Sequence, residues 1–197
     1  MIKLYKKIFL IILTIFLTSN ISSAKNIKEA YFAGGCFWCV EDFFEKVKGV
    51  EEVISGYSGG DVENPTYKEV TYGKTGHFET AKIIYDDDII NYKDLLNFYW
   101  QNIDPFDSTG QFCDKGLSYR SVAFYKNQNE KSEIKKSIEN IEKKFKGKKV
   151  FTFIRKFEKF YPAEDYHQDY YQKNFMNYLL YKKACGREQT LKNIWNN

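Results

Sequence analysis

The chain has 197 residues, 43% of them hydrophobic and 28% charged, the make-up of a soluble globular protein with a core of its own and little room for a second domain. Its 30 basic residues face 26 acidic ones, and setting aside the three lysines of the first 24 residues leaves 27 against 26, a balance of +1. So even a balance excludes the electrostatic footprint of a nucleic-acid binder.

The first 24 residues read as a secretory signal peptide. Lys3, Lys6 and Lys7 form a basic start, Ile8 to Leu17 is an almost wholly apolar run, and Ser22-Ser23-Ala24 supplies the small residues of a cleavage site. The run falls short of the ~20 residues of a comfortable membrane span. Cleavage after Ala24 would leave residues 25–197 as a single domain outside the cytoplasm, in the periplasm or an equivalent place. An uncleaved N-terminal anchor is the alternative.

Glu29 to Ala33 alternates as a strand, Gly34-Gly35 makes a turn, and a helix is expected from Phe37, with Val40, Phe43, Phe44 and Val47 on one stripe. A strand follows over 50–57, then a Gly- and Asn-rich loop over 58–76, a strand over 78–85 and a helix over 92–103. Residues 104–117 read as a second long loop and 120–125 as a strand. Asn127 to Lys146 is the clearest amphipathic helix, with Ile134, Ile138, Ile141 and Phe145 inward and a solvated charged face outward. A strand is expected over 150–154, and helix and loop from Ala163 onward. Strands and helices mixed without strict alternation suggest an α/β two-layer sandwich whose loops carry function.

Four cysteines, Cys36, Cys39, Cys113 and Cys185, remain in the exported domain. They could form two structural bridges in any of three pairings, or at least one could be a reagent. Cys36 follows a strand and a glycine turn and opens a helix, a setting that favours the thiolate and can bring a cysteine pKa from ~8.5 to roughly 3.5–7.5. Glu41 and Asp42, one turn along, oppose that, so a modest effect is expected. The glycines let a ligand approach the sulfur, and Phe37 and Trp38 could wall an apolar pocket suited to a methyl thioether.

Gly35-Cys36-Phe37-Trp38 resembles the signature of the A-type peptide methionine sulfoxide reductases. Further segments match in order: Ser55-Gly56-Tyr57, Asn64-Pro65-Thr66-Tyr67, Gly76-His77-Phe78-Glu79, Asp104-Pro105, residues 114–121 and residues 163–170. The resemblance runs from Tyr31 to about Trp195. It implies an α/β (α+β) two-layer sandwich with a mixed central sheet, a ferredoxin-like core and long functional loops. It also implies reduction of methionine S-sulfoxide, free or in proteins, and repair of oxidised exported proteins. Cys36 would be the nucleophile on the sulfoxide sulfur and Glu79 the acid that protonates the oxygen. Tyr67 and Tyr119 would hold that oxygen, Asp114 would be a polar residue of the same pocket, and Phe37 and Trp38 would hold the substrate methyl. A cysteine sulfenic acid forms and condenses with a second thiol to a disulfide.

Two departures bear on that second thiol. Many members carry Gly where Cys39 stands, so Cys36 and Cys39 form C-x-x-C here, and the Gly110–Cys113 segment differs from the commonest family form. Cys39 is expected to resolve Cys36, with Cys185 as the alternative, and Cys113 and Cys185 could form a structural bridge. His77 and His167 are assigned structural roles, and no metal site is expected. No bound cofactor is expected either: electrons would come from an external, thioredoxin-like thiol donor, and a monomer without stable membrane association is expected after cleavage. Two competing readings are a dithiol–disulfide oxidoreductase using Cys36 and Cys39, and a disulfide-stapled binding module with no free thiol.

Overall fold

The computed structural model describes residues 25–195, so the signal peptide or anchor expected over 1–24 lies outside the described residues. The elements in chain order are β1 (Ile27–Ala33), α1 (Phe37–Phe44), β2 (Val50–Ser58), α2 (Tyr67–Tyr72), β3 (Phe78–Asp86), α3 (Tyr92–Gln101), the short β4 (Gly110–Gln111) and β5 (Asp114–Lys115), β6 (Val122–Tyr125), α4 (Gln128–Lys144), β7 (Phe153–Lys156), β8 (Phe160–Pro162), α5 (Tyr170–Lys173), α6 (Phe175–Ala184) and α7 (Arg187–Trp195). The main sheet runs β7-β6-β1-β3-β2-β8, and β4 and β5 form a separate two-stranded ribbon. Its four inner strands, with α1 and α3 between them in sequence, reproduce the βαββαβ ferredoxin-like order, all neighbours antiparallel. The parallel pair β6–β7 makes the sheet mixed, as expected.

One layer of helices covers this sheet because the apolar stripes read from the sequence converge there. Val40, Phe43 and Phe44 of α1, Leu95, Leu96 and Tyr99 of α3 and Ile134 and Ile141 of α4 are buried in one cluster with Phe32, Ala81 and Ile83 of the sheet. Phe32 has no exposed surface and stacks with Phe44, Tyr92 and Tyr99. Burying a side chain of that size contributes about 1.5–3 kcal/mol. The Tyr99 hydroxyl donates to the Ala33 carbonyl at 2.7 Å, tying α3 to the end of β1 just before the glycine turn.

Two expectations are corrected, and one strand appears where the sequence suggested none. The 58–76 loop contains α2, started by a capping box in which Thr66 and Glu69 satisfy each other's backbone N–H groups. The strand expected over 150–154 begins at Phe153, because its register is set by pairing with β6 rather than by its own apolar run. The three-residue β8 forms only because β2 offers it an edge.

Cys113 and Cys185 are joined by a disulfide, 72 residues apart in sequence, while Cys36 and Cys39 are free and buried. A free dithiol is not what a purely stapled binding module predicts. Closing a loop of that length is worth about 4 kcal/mol of unfolded-state entropy. The double variant Cys113→Ser/Cys185→Ser should therefore lose about 2–5 kcal/mol of stability in urea unfolding without dithiothreitol. An unchanged midpoint would show that the tail is held by packing alone.

Candidate active site

The turn before Cys36 is shaped by two close approaches. Gly35 has φ +83°, and a Cβ there would sit 2.6 Å from the Gln111 Cβ. Gln111 is fully buried and binds the Asp104 N–H at 2.8 Å and the Asp104 carbonyl at 2.8 Å, welding the 104–111 loop against the turn. Cys36 then stands at the N-cap of α1, and its carbonyl accepts the Cys39 N–H at 3.0 Å. Cys39 lies one turn in, and both thiols are almost fully buried under Tyr178, with Trp38, Tyr170, Tyr171 and Tyr181 around them.

The helix N-terminus does not serve the Cys36 sulfur as the sequence suggests. The Phe37 N–H donates instead to Glu79 Oε2 at 3.0 Å. Burial, reinforced by the neighbouring Cys39, pushes the Cys36 thiol well above the ordinary cysteine value. Cys39 moves the other way, to about 7, chiefly because the Cys36 S–H donates to it, with help from the Arg187 charge. Of the two thiols, Cys39 is therefore the one that gives up its proton first, and Cys36 keeps its own. The two acids of α1 also behave differently from each other. Burial raises Glu41 to about 7 while it accepts the Asp169 N–H at 3.0 Å. Burial would raise Asp42 too, but Lys182, Lys46 and the Tyr178 hydroxyl hold it below the usual range.

Glu79 comes from β3, directly opposite Tyr57 of β2, and is 1% exposed. Burial raises its carboxyl to about 8. Oε2 is the acceptor for Phe37, so the neutral acid carries its proton on Oε1, which is buried and has no hydrogen-bond partner. An unused O–H in an apolar pocket is poised to donate to something that enters. Tyr67 and Tyr119 border the same space, close enough to act on each other and on Glu79. Burial holds Tyr67 at about 12 and raises Tyr119 further, so both stay protonated donors. Tyr67 is fixed through its backbone N–H, which donates to Glu164 Oε1 at 2.9 Å, while the other oxygen of Glu164 accepts the Tyr57 hydroxyl at 2.8 Å.

Asp114 lies on the opposite side, beside the disulfide. Burial raises its carboxyl above the usual range, against the Tyr181 hydroxyl that donates to it. Phe37 is 1% exposed and packs with Tyr57, Val70 and Tyr161, so it forms the floor of the site. Trp38 is only half-buried. It stacks on Tyr170 with ring centroids 3.8 Å apart, and its indole N–H donates to His167 Nδ1 at 3.1 Å. His167 thus positions Trp38. His77 bridges the 58–76 loop, accepting the Gly60 N–H at 3.1 Å and lying 2.7 Å from the Val62 carbonyl through Nε2.

Apart from His77 and the bridged Cys113 and Cys185, the residues singled out in the sequence thus gather around Cys36 and Glu79, with Asp114 linking that site to the disulfide. Sequence reasoning missed Tyr178, Tyr181, Glu164 and Arg187. The i, i+3 spacing of Tyr178 and Tyr181 places them on one helix face, but nothing in the sequence says that this face covers the dithiol.

A buried vicinal dithiol beside a neutral carboxylic acid and two tyrosine donors defines a thiol-based oxidoreductase. The family model described as peptide methionine sulfoxide reductase matches residues 28–197, and the chain belongs to that family. It is 45% identical over 174 residues to the peptide methionine sulfoxide reductase MsrA of Limosilactobacillus reuteri, covering 87% of this chain and 99% of that one. It is 46% identical over 175 residues to the MsrA/MsrB protein of Vibrio cholerae, covering 88% of this chain but only 46% of that longer protein. Among solved structures, Mxr1 from Saccharomyces cerevisiae in reduced form superposes with a TM-score of 0.71 at 32% identity, covering 80% of this chain and 90% of that one.

Proposed function

We propose that residues 25–197 act as one catalytic domain that reduces methionine S-sulfoxide, free or in proteins, to methionine. The observation that carries this reading is the neutral Glu79, whose unpartnered Oε1 shares a pocket with a buried dithiol and two tyrosine hydroxyls. A sulfoxide oxygen fits the donors, and its methyl fits the aromatic wall of Phe37 and Trp38.

The chemistry follows from the proton positions. Cys36 attacks the sulfoxide sulfur as its proton passes by way of Cys39 to solvent, which leaves Cys39 free to react as the thiolate. Glu79 protonates the sulfoxide oxygen while Tyr67 and Tyr119 hold it, and Asp114 stays at the pocket edge beside the Cys36 N–H. The oxygen ends on Cys36 as a sulfenic acid and the thioether leaves as methionine. Cys39 then attacks the Cys36 sulfur, the S–O bond breaks, and hydroxide leaves as water. The contact of the two thiols and the engagement of Cys185 with Cys113 support Cys39 over Cys185 as the resolving residue. Peptide mapping after one turnover should find Cys36 joined to Cys39, and a Cys36–Cys185 peptide would overturn that role.

Reduction of the new disulfide calls for an external dithiol of the thioredoxin-like kind, and no bound cofactor takes part in any step above. The basic start, apolar run and Ser-Ser-Ala of residues 3–24 support export, and with it repair of oxidised exported proteins. Turnover of the two separated epimers of methionine sulfoxide with dithiothreitol tests the whole reading. Consumption of the S epimer alone is expected, and no consumption of either by the folded, reduced protein would sink it.

A further inference from the structure

Arg187 stands at the first position of α7, two residues after Cys185, and is 4% exposed. A buried guanidinium normally faces a carboxylate. Here its Nη2 donates to the Asn102 carbonyl at 2.6 Å and its Nη1 to the Gly34 carbonyl at 3.4 Å, and none of the described ion pairs includes it. Its remaining faces lie on the ring of Phe43, one turn beyond Cys39 on α1, at 5.6 Å, and on the ring of Phe112, beside the disulfide, at 4.5 Å. Gly34 is the turn residue two before Cys36. An uncompensated positive charge is thus fixed behind the dithiol, between the turn, α1 and the stapled arm.

We propose that Arg187 is a positioning residue for the second half of the reaction: its charge holds Cys39 as the thiolate that attacks the sulfenic acid on Cys36, and the Cys113–Cys185 bridge pins the arm that delivers it. This rests on Cys39 being the resolving thiol. The step needs no new reactant. The S–S bond forms as the S–O bond of the sulfenic acid breaks, both sulfurs end in the disulfide, and the hydroxide takes up a proton as water.

Other groups also lower Cys39, the neutral Tyr178 hydroxyl and Lys182 among them, and of these Arg187 is the cation that no carboxylate engages. Cys36 ceases to be an S–H donor once it is oxidised, so its help is lost when Cys39 must react. From α6, the Tyr178 hydroxyl donates to Asp42 at 2.7 Å, and Lys182 is paired with the same carboxylate at 2.9 Å. Tyr181 is engaged by Asp114, and neutral Glu79 lies across the pocket. Arg187 is the cation that lowers both Cys39 and Asp114 without a carboxylate partner of its own.

The test follows the lifetime of the Cys36 sulfenic acid, trapped with dimedone after one turnover, in wild type, Arg187→Gln and Arg187→Lys across pH 5–9. Gln can keep donors to the two carbonyls and removes the charge, whereas Lys keeps the charge. In Arg187→Gln at pH 6 the sulfenic acid should persist roughly tenfold longer, the effect of a one-unit rise in the Cys39 pKa. The gap should close towards pH 9, and Lys should restore most of the rate. The Cys39 13Cβ shift, followed in a Cys36→Ser background, should titrate about one unit higher with Gln than with Arg. Equal lifetimes, or a slowing independent of pH that Lys does not rescue, would overturn the proposal. If Arg187→Gln fails to fold, wild type decides alone: disulfide closure must be governed by a group titrating below the ordinary cysteine value of ~8.5, and a midpoint at or above it refutes the role. A wild-type disulfide that maps elsewhere than Cys36–Cys39 would instead remove the resolving assignment itself.

Discussion

Cys36→Ser is expected to abolish reduction of methionine S-sulfoxide, with turnover under dithiothreitol falling by on the order of 10³-fold or more. The reason is specific to where the sulfur sits. Cys36 stands at the start of α1, facing the pocket that Glu79, Tyr67 and Tyr119 border. A serine there keeps the shape and loses the soft, oxidisable atom on which the oxygen must end. Cys39, one turn further along α1, should not substitute. Binding should survive, because Phe37, Trp38 and the hydroxyl donors are untouched. The measurement is a single-turnover assay on the S epimer beside a binding isotherm for the same compound. Residual turnover within tenfold of wild type would show that another residue starts the reaction.

Glu79→Gln should separate activity from stability and move them in opposite directions. Glutamine retains an acceptor for the Phe37 N–H but has no acidic proton, so turnover should fall by about 10²–10⁴-fold, the usual range for a general acid. In wild type the acid works only while protonated, so the rate should decline as pH rises through about 8. The variant should lack that limb. Stability follows the opposite sign from an ordinary paired carboxylate. Burial raises this pKa, so the native state holds its proton more tightly than the unfolded chain does. Its contribution is fully present below the unfolded value near 4.5 and is lost progressively as pH rises to about 8. At pH 7 the accumulated loss is up to about 3 kcal/mol. Glu79→Gln, neutral at every pH, should therefore be more stable than wild type at pH 7 and close to it at pH 4. Urea unfolding at the two pH values checks this, and a variant less stable at both would mean that Glu79 is ionised in the native protein.

The two expectations share one physical origin. A carboxyl held neutral in an apolar site is costly at the pH where the enzyme works, and its placement beside a dithiol and two hydroxyls gives the cost a use.

Much of the fold was legible because its elements follow local rules. The stripes of α1, α3 and α4 at helical spacing, the alternation of β1, β2 and β3 and the turn glycines are each written within a dozen residues. Where the expectation failed, the missing information was non-local or overlooked. β7 starts three residues late because pairing with β6 sets its register, and β8 forms because β2 has a free edge. α2 was legible in principle, since Thr66 and Glu69 spell a capping box inside a stretch that looked like loop.

At the site, the sequence by itself determined which atoms are available. Cys36, Cys39, Glu79, Tyr67, Tyr119, Asp114, Phe37 and Trp38 could all be named from motif and spacing. Only the tertiary structure decided how their protons are arranged. The helix N-terminus that looked like an activator of Cys36 spends its Phe37 N–H on Glu79, and the lowered thiol is Cys39. The Cys113–Cys185 bridge, one of the pairings the sequence left open, is the one that forms; the tyrosine cover of α6 and the unpaired charge of Arg187 were outside what the sequence could say. Ionisation depends on burial and on charges that meet only when segments more than a hundred residues apart pack together, and no local pattern records that meeting.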